Sequence, residues 1–218
     1  MGIFEKGECA LKVLLILIVL TAFNGCIASP KDHNESQLFF DCTYCPIETQ
    51  DKPYPGLTLF RNCAYEDENG SIVIRDVHLK NMLFDDNNLA SVYFKDTDIV
   101  YVNRRGKTAR VLYFDNGADY FKEGLARTIK DGKIGFIDKN LDVVILPKFD
   151  FAFPFSDGVA VVCNGCYFVP DGEHSAVVGG KWGYIDKNGV AIISVSHEKD
   201  NLPQLPTNKS YSPTRQSR

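Results

Sequence analysis

Two stretches of the chain are nearly the same: Lys133 to Asn140 reads KIGFIDKN, and Lys181 to Asn188 reads KWGYIDKN. Recurrence of a short segment marks a repeat architecture. In such a fold one small unit cannot bury its own apolar face and is stacked on copies of itself. The residues within each copy are those of a strand entering a turn. Phe136-Ile137 opens into Asp138-Lys139-Asn140-Leu141, where Asp can bond its own following backbone and Asn tolerates positive φ.

The copy beginning at Lys133 continues far enough to define the unit. Val143-Val144-Ile145 is β-branched and reads as a return strand, which Pro147 ends because it cannot donate to a ladder. Phe149, Phe151, Phe153 and Phe155 then alternate with other residues, a period of two that predicts four rings on one face. Asp157-Gly158 turns the chain into the strand Val159 to Val162. In the later copy Trp182 replaces Ile134, Tyr184 replaces Phe136, and Gly189 stands where Leu141 stood. Glycine is the residue a positive-φ turn position prefers, so Leu141 is expected to be the strained variant.

Two earlier copies are more divergent. Tyr101 to Gly106 aligns with Phe136 to Leu141, and Glu123-Gly124-Leu125-Ala126 with Asp157-Gly158-Val159-Ala160. Further upstream, Glu68 to Ile74 supplies a turn and strand, and Leu89 to Val92 a closing strand. The expected fold is all-β, an array of about three and a half hairpin-based units. These span roughly 59–93, 99–132, 133–163 and 181–195 within a body of 38–195, with an insertion at 164–178. A curved solenoid-like sheet, a closed barrel and a propeller-like ring all remain open. Helix is expected to be scarce, with Asp115 to Thr128 its place in the body. Ser196 to Arg218 is polar and proline-bearing and reads as a disordered tail, with the last repeat truncated rather than capped.

The string KWGYIDKNG, followed by a hydrophobic strand, and in the preceding unit the Pro, aromatic-Asp pair, Phe-Ser-Asp-Gly and small-residue strand, resemble the WG repeat of bacteria. The resemblance covers roughly Leu59 to Val195. It implies a β-rich array, commonly exported or surface-linked, and supplies no catalytic residues.

The N-terminus adds a compartment. Ala10 to Ala22 is apolar except for Lys12 and Thr21, too short for a spanning helix of about 20 residues but suited to a signal h-region. Gly25-Cys26 follows and resembles a lipoprotein cleavage site, although Phe23 and Asn24 replace the usual residues. Residues 1–25 are thus read as a signal peptide, Cys26 as the acylated residue, and 26–37 as a flexible tether. Ser and Ile rather than Asp after the cysteine imply the outer membrane. Cleavage after Ala28 is the alternative, leaving a periplasmic or secreted chain.

Cysteine chemistry depends on that compartment. Cys42 and Cys45, and Cys163 and Cys166, sit at C-x-x-C spacing, with Cys63 left over as a buried thiol. In an oxidising envelope they read as disulfides, each pair closed on itself or the first stapled to the insertion. Zinc with His174 as an extra ligand is a second reading, and a redox pair a third. Trp182 and Tyr184 are candidates for a ligand platform, against core packing between units. Turn geometry alone accounts for the matched Asp138 and Asp186.

No nucleophile elbow, zinc-protease helix or P-loop is present, so no enzyme is expected. The net charge of −4 carries no basic stripe, which argues against nucleic acid as partner. The expected function is an envelope binding module for a protein or a peptidoglycan-associated partner, membrane-held by its lipid. The alternatives are an enzyme built near Glu173 and His174, or a relic without activity.

Overall fold

The computed structural model describes residues 38–53, 55–94, 98–172 and 174–205. The leader, Cys26 and the tether lie outside the described residues, as do residues 206–218 of the C-terminal tail.

Fifteen strands form three antiparallel sheets. They are β1 (Phe39–Tyr44), β2 (Thr58–Glu66), β3 (Ile72–Ile74), β4 (Leu89–Tyr93), β5 (Ile99–Asn103) and β6 (Thr108–Val111). Next come β7 (Tyr113–Phe114), β8 (Gly117–Ala118), β9 (Ala126–Lys130), β10 (Lys133–Ile137) and β11 (Val143–Phe149). The series ends with β12 (Phe151–Ala152), β13 (Val159–Asp171), β14 (His174–Asp186) and β15 (Ala191–His197). A nine-stranded sheet runs β11-β10-β9-β6-β5-β4-β1-β2-β3, a four-stranded sheet β12-β13-β14-β15, and β7 pairs with β8. The expected all-β class is what folds. The large sheet ends in β3 and β11, which do not pair with each other, so no hydrogen-bonded barrel closes.

One turn, used repeatedly, sets the strand spacing. Among the described residues it occurs at 67–71, 85–89, 103–107, 138–142 and 186–190. In each, the first residue (Asp67, Asp85, Asn103, Asp138, Asp186) accepts two backbone N–H bonds on its Oδ1. The donors are two and four residues on, at 2.8–3.1 Å. The main chain closes the same loop: Asp138 N donates to Asp142 O at 3.0 Å, and Leu141 N to Asp138 O at 3.0 Å. Asp138 and Asp186 therefore stand where the backbone needs a local acceptor. The fourth position is left-handed every time, with φ of 76° at Gly70, 59° at Asn88, 83° at Gly106, 62° at Leu141 and 77° at Gly189. Leu141 is the strained copy, as expected. It is also 3% exposed, and burying a leucine contributes about 2 kcal/mol, enough to offset a left-handed penalty of roughly 1–2.

The core lies between units rather than within them. On β5, Val100 and Val102 join Cys42, Tyr44 and Val92 in one cluster, while Ile99 and Tyr101 join Val111, Ile137 and Leu141 in another. A third cluster takes Leu125 from the second unit, Phe136, Phe149, Phe155 and Val162 from the third, and Ile185 from the fourth. Phe149, Phe155 and Trp182 are 3%, 2% and 1% exposed, so successive units do cover one another.

Several expectations are corrected. The phenylalanine row does not share a face. The alternation breaks between Phe149 and Ala152, both buried, where the chain leaves the large sheet for the four-stranded one. Phe151 and Phe153 then share the outer side, Phe153 45% exposed, while Phe155 returns to the core. Asp115 to Thr128 is not helical, because Asp115, Asn116, Glu123 and Gly124 all have positive φ, which an α-helix excludes. The helix that forms is α1 (Asp76–Leu79), four residues between β3 and β4. Nor is the chain a tail from Ser196. β15 runs to His197 and a 3-10 turn follows at Lys199–Asn201. The segment 164–178 folds as the continuation of β13 and β14, paired from Val159–Asp186 to Asp171–His174.

Candidate functional site

Neighbouring units are joined by polar pins that repeat with the array. Lys107 Nζ meets Asp142 Oδ1 at 2.5 Å, tying the fifth position of one turn to the fifth position of the next. Glu123 joins three units at once: its carboxylate accepts the Gly158 N–H at 3.1 Å and pairs with Lys187 Nζ at 2.8 Å. A buried pair lies deeper. Arg127, 5% exposed, and Asp119, 1% exposed, share three hydrogen bonds, from Arg127 N (2.8 Å), Nε (3.0 Å) and Nη2 (2.6 Å). Arg127 Nη1 also reaches Ala152 O at 3.0 Å, which ties the second unit to the third.

The long hairpin of β13 and β14 is where this chain departs from its other units. At its base Cys163 is bonded to Cys166, with Cα atoms 6.2 Å apart. Gly165, at φ 78°, turns the chain back between them, and its N–H donates to Asp150 Oδ2 at 2.7 Å. Asp150 also pairs with Lys133 Nζ at 2.5 Å. Trp182 stands opposite Cys163, its Nε1 donating to Gly179 O at 2.8 Å and Lys199 Nζ lying 5.1 Å from its ring. The platform reading is therefore corrected. The chain beyond β15 covers Trp182, and Tyr184 is half-buried in the middle of its sheet. What the hairpin does present is Phe168, 59% exposed. It contacts Phe151 edge-on at 5.9 Å, and Phe151 contacts the outward-turned Phe153 at 4.9 Å. Tyr167 is 60% exposed beside it.

The cysteine pairing differs from both expected forms at the first pair. Cys42 bonds Cys63 across β1 and β2, with Cα atoms 5.8 Å apart, and among the described residues Cys45 is the free thiol. A strand explains this: Cys42 and Tyr44 point inward, so a partner three residues on faces the other way. The second C-x-x-C closes on itself because Gly165 breaks the strand between its cysteines. Among the described residues no three of His, Cys, Asp and Glu gather as metal ligands. The side chain of His174, and Glu173, lie outside the described residues.

A trough of about 700 Å³ runs along the large sheet past Val100, Thr108, Thr128 and Ile137. Its guanidinium, Arg110, is paired with Asp98 and lies 3.6 Å from Glu66, so no uncompensated charge faces the trough there.

Two pins respond to pH. Lys187 and the Gly158 N–H hold the Glu123 carboxyl below its ordinary range, and Lys133 and the Gly165 N–H do the same for Asp150. A carboxyl lowered by folding contributes stability that is complete above its unfolded value and is lost as pH falls through its folded one. The melting temperature is thus expected to drop as pH falls below about 4, and Glu123→Gln and Asp150→Asn each to flatten that acid limb. Thermal melts from pH 7 to pH 2 check this; acid limbs identical to wild type would refute it.

Residues 134–165 match the WG containing repeat family, which places the family's unit on β10 through the start of the hairpin. Neither the curated proteins nor the solved structures yield a match to this chain.

Proposed function

We propose that the chain is an exported, lipid-anchored binding module of the bacterial cell envelope, held by Cys26 and engaging a protein partner through its β13–β14 hairpin. The observation that carries the reading is the aromatic patch of Phe153 and Phe168. Two large rings stay in water, Phe168 on the hairpin and Phe153 just past β12 at its side, next to a hairpin base braced by a disulfide, Trp182 and the Asp150 bonds. Exposed aromatics on a preorganised element lose little entropy on docking and are typical anchors of an interface. The paired cysteines suit an oxidising compartment, and the leader ending in Gly25-Cys26 supplies the route there.

The test has two readouts. Mass analysis of the mature chain is expected to find an acylated Cys26 at its N-terminus; a free Ser29 would replace the anchor with a soluble form. Capture from envelope extracts is expected to yield a partner whose recovery collapses in the Phe153→Ser/Phe168→Ser variant at unchanged melting temperature. Equal recovery by both proteins would overturn the hairpin's role.

A further inference from the structure

The array brings three copies of its turn together, at 85–89, 103–107 and 138–142, and the space between them is a polar groove of about 540 Å³. The turn chemistry decides what this groove offers. Each first residue spends its side-chain oxygen on its own backbone, so the second and third residues are left to line the space. Those residues include Arg104, Arg105 and Lys139. Lys107 and Asp142 also line it, and they neutralise each other at 2.5 Å.

The side chains lining the groove include four cations and one carboxylate, while Asp85, Asp86 and Asp138 of the same turns do not line it. Arg104 is already fixed in place. Its Nε donates to Asn88 Oδ1 at 3.0 Å, and its guanidinium sits 4.5 Å from the centre of the Phe84 ring. Arg105 and Lys139 are exposed, and their side chains have no hydrogen-bond or ionic partner among the described residues.

We infer that this groove binds the phosphate group of a phosphate ester. Guanidinium and ammonium groups are donors only, and arginine's planar fork matches phosphate oxygens better than a single carboxylate would use it. Arg105 and Lys139 supply the unpaired donors a phosphate oxygen would meet, and the volume admits the phosphate together with a small polyol or sugar. The site is independent of the aromatic hairpin and does not need the envelope reading. Its ester is either a soluble molecule or the headgroup of an anionic phospholipid.

The test uses the purified chain, glycerol 3-phosphate in calorimetry, and flotation with phosphatidylglycerol vesicles against phosphatidylcholine vesicles. Binding to either phosphate source is expected, weakened by added salt. Arg105→Ala/Lys139→Ala is expected to weaken it on the order of tenfold or more at unchanged melting temperature. Binding of glycerol 3-phosphate identifies a soluble ester; binding to phosphatidylglycerol vesicles alone identifies the headgroup. A control, Lys80→Ala/Lys122→Ala, removes the same charge outside the groove and is expected to bind as wild type. The inference falls if neither source binds at millimolar concentration, if the groove variant binds as wild type, or if the control loses as much.

Discussion

Replacing Asp119 by alanine is expected to remove about 3–5 kcal/mol of folding stability, a large part of what a domain of this size possesses. The carboxylate is 1% exposed and answers three donors of Arg127, itself 5% exposed. Without it a guanidinium stays buried between the Phe114 ring and Ala152, with one carbonyl as its remaining acceptor. Water cannot reach it without opening the joint between units. Tyr101 is tied to the same segment through the main chain: its hydroxyl donates to the backbone carbonyl of Asp119 at 3.0 Å, a bond the alanine variant keeps. That phenol is held neutral far above its ordinary range, by burial first and by the Asp119 charge second. Removing both charges is a different experiment. Asp119→Leu/Arg127→Met deletes the desolvation cost along with the attraction and is expected to recover most of the loss. Urea denaturation of the three proteins measures both terms. A single variant within about 1 kcal/mol of wild type would mean that the joint is wet.

That pair was not legible in the sequence, and the reason is physical. Asp119 and Arg127 carry no period, cancel in any count of charge, and meet only because the Lys122–Leu125 turn brings the chain after β8 back into β9. The repeat was legible because its turn is a local device. Asp138 bonds its own backbone whatever surrounds it, so the string that does this survives in copy after copy. The turn at Asp85 was missed although its Asp-Asp-Asn-Asn holds the needed acceptor first and an αL-tolerant Asn fourth; without glycine it read as an ordinary polar loop. Phe153 failed for the opposite reason. Alternation predicts a face only within one strand, and the chain changes sheets between Phe149 and Phe151, which puts Ala152 inside and Phe151 and Phe153 outside. For Cys42, strand alternation itself held the answer, since it sets Cys45 on the opposite face and leaves Cys63 on the neighbouring strand as the reachable partner. The polar composition after Ser196 hid an ordered turn whose Lys199 is fixed by the ring of Trp182 and by Val177 O.

Gly135→Ala is expected to cost about 3 kcal/mol or more and to leave the third unit unable to close. The glycine of KIGFIDKN is needed for space, not for conformation. An added Cβ would lie 2.3 Å from Ile145 O and 2.6 Å from Pro147 N, inside the backbone of β11 where it crosses β10. The pairing of these strands slips at this point, between Ile134 and Phe136. Gly183 of KWGYIDKN repeats the arrangement, with Ile193 O at 2.5 Å and a register slip between Trp182 and Tyr184. The two substitutions should nevertheless differ. β11 is anchored by Ile145 and Phe149, each 3% exposed, and cannot retreat. β15 is an edge strand of exposed and half-buried residues and can move outward. Gly183→Ala is therefore expected to cost less and to act locally, loosening β15 in hydrogen exchange before global unfolding. Gly132→Ala separates space from conformation: that glycine has φ 71° and nothing within 4 Å of an added Cβ, so only the left-handed penalty of about 1 kcal/mol applies. Equal losses at Gly132 and Gly135 would show that the close crossing of β10 and β11 is not what the repeat's glycine serves.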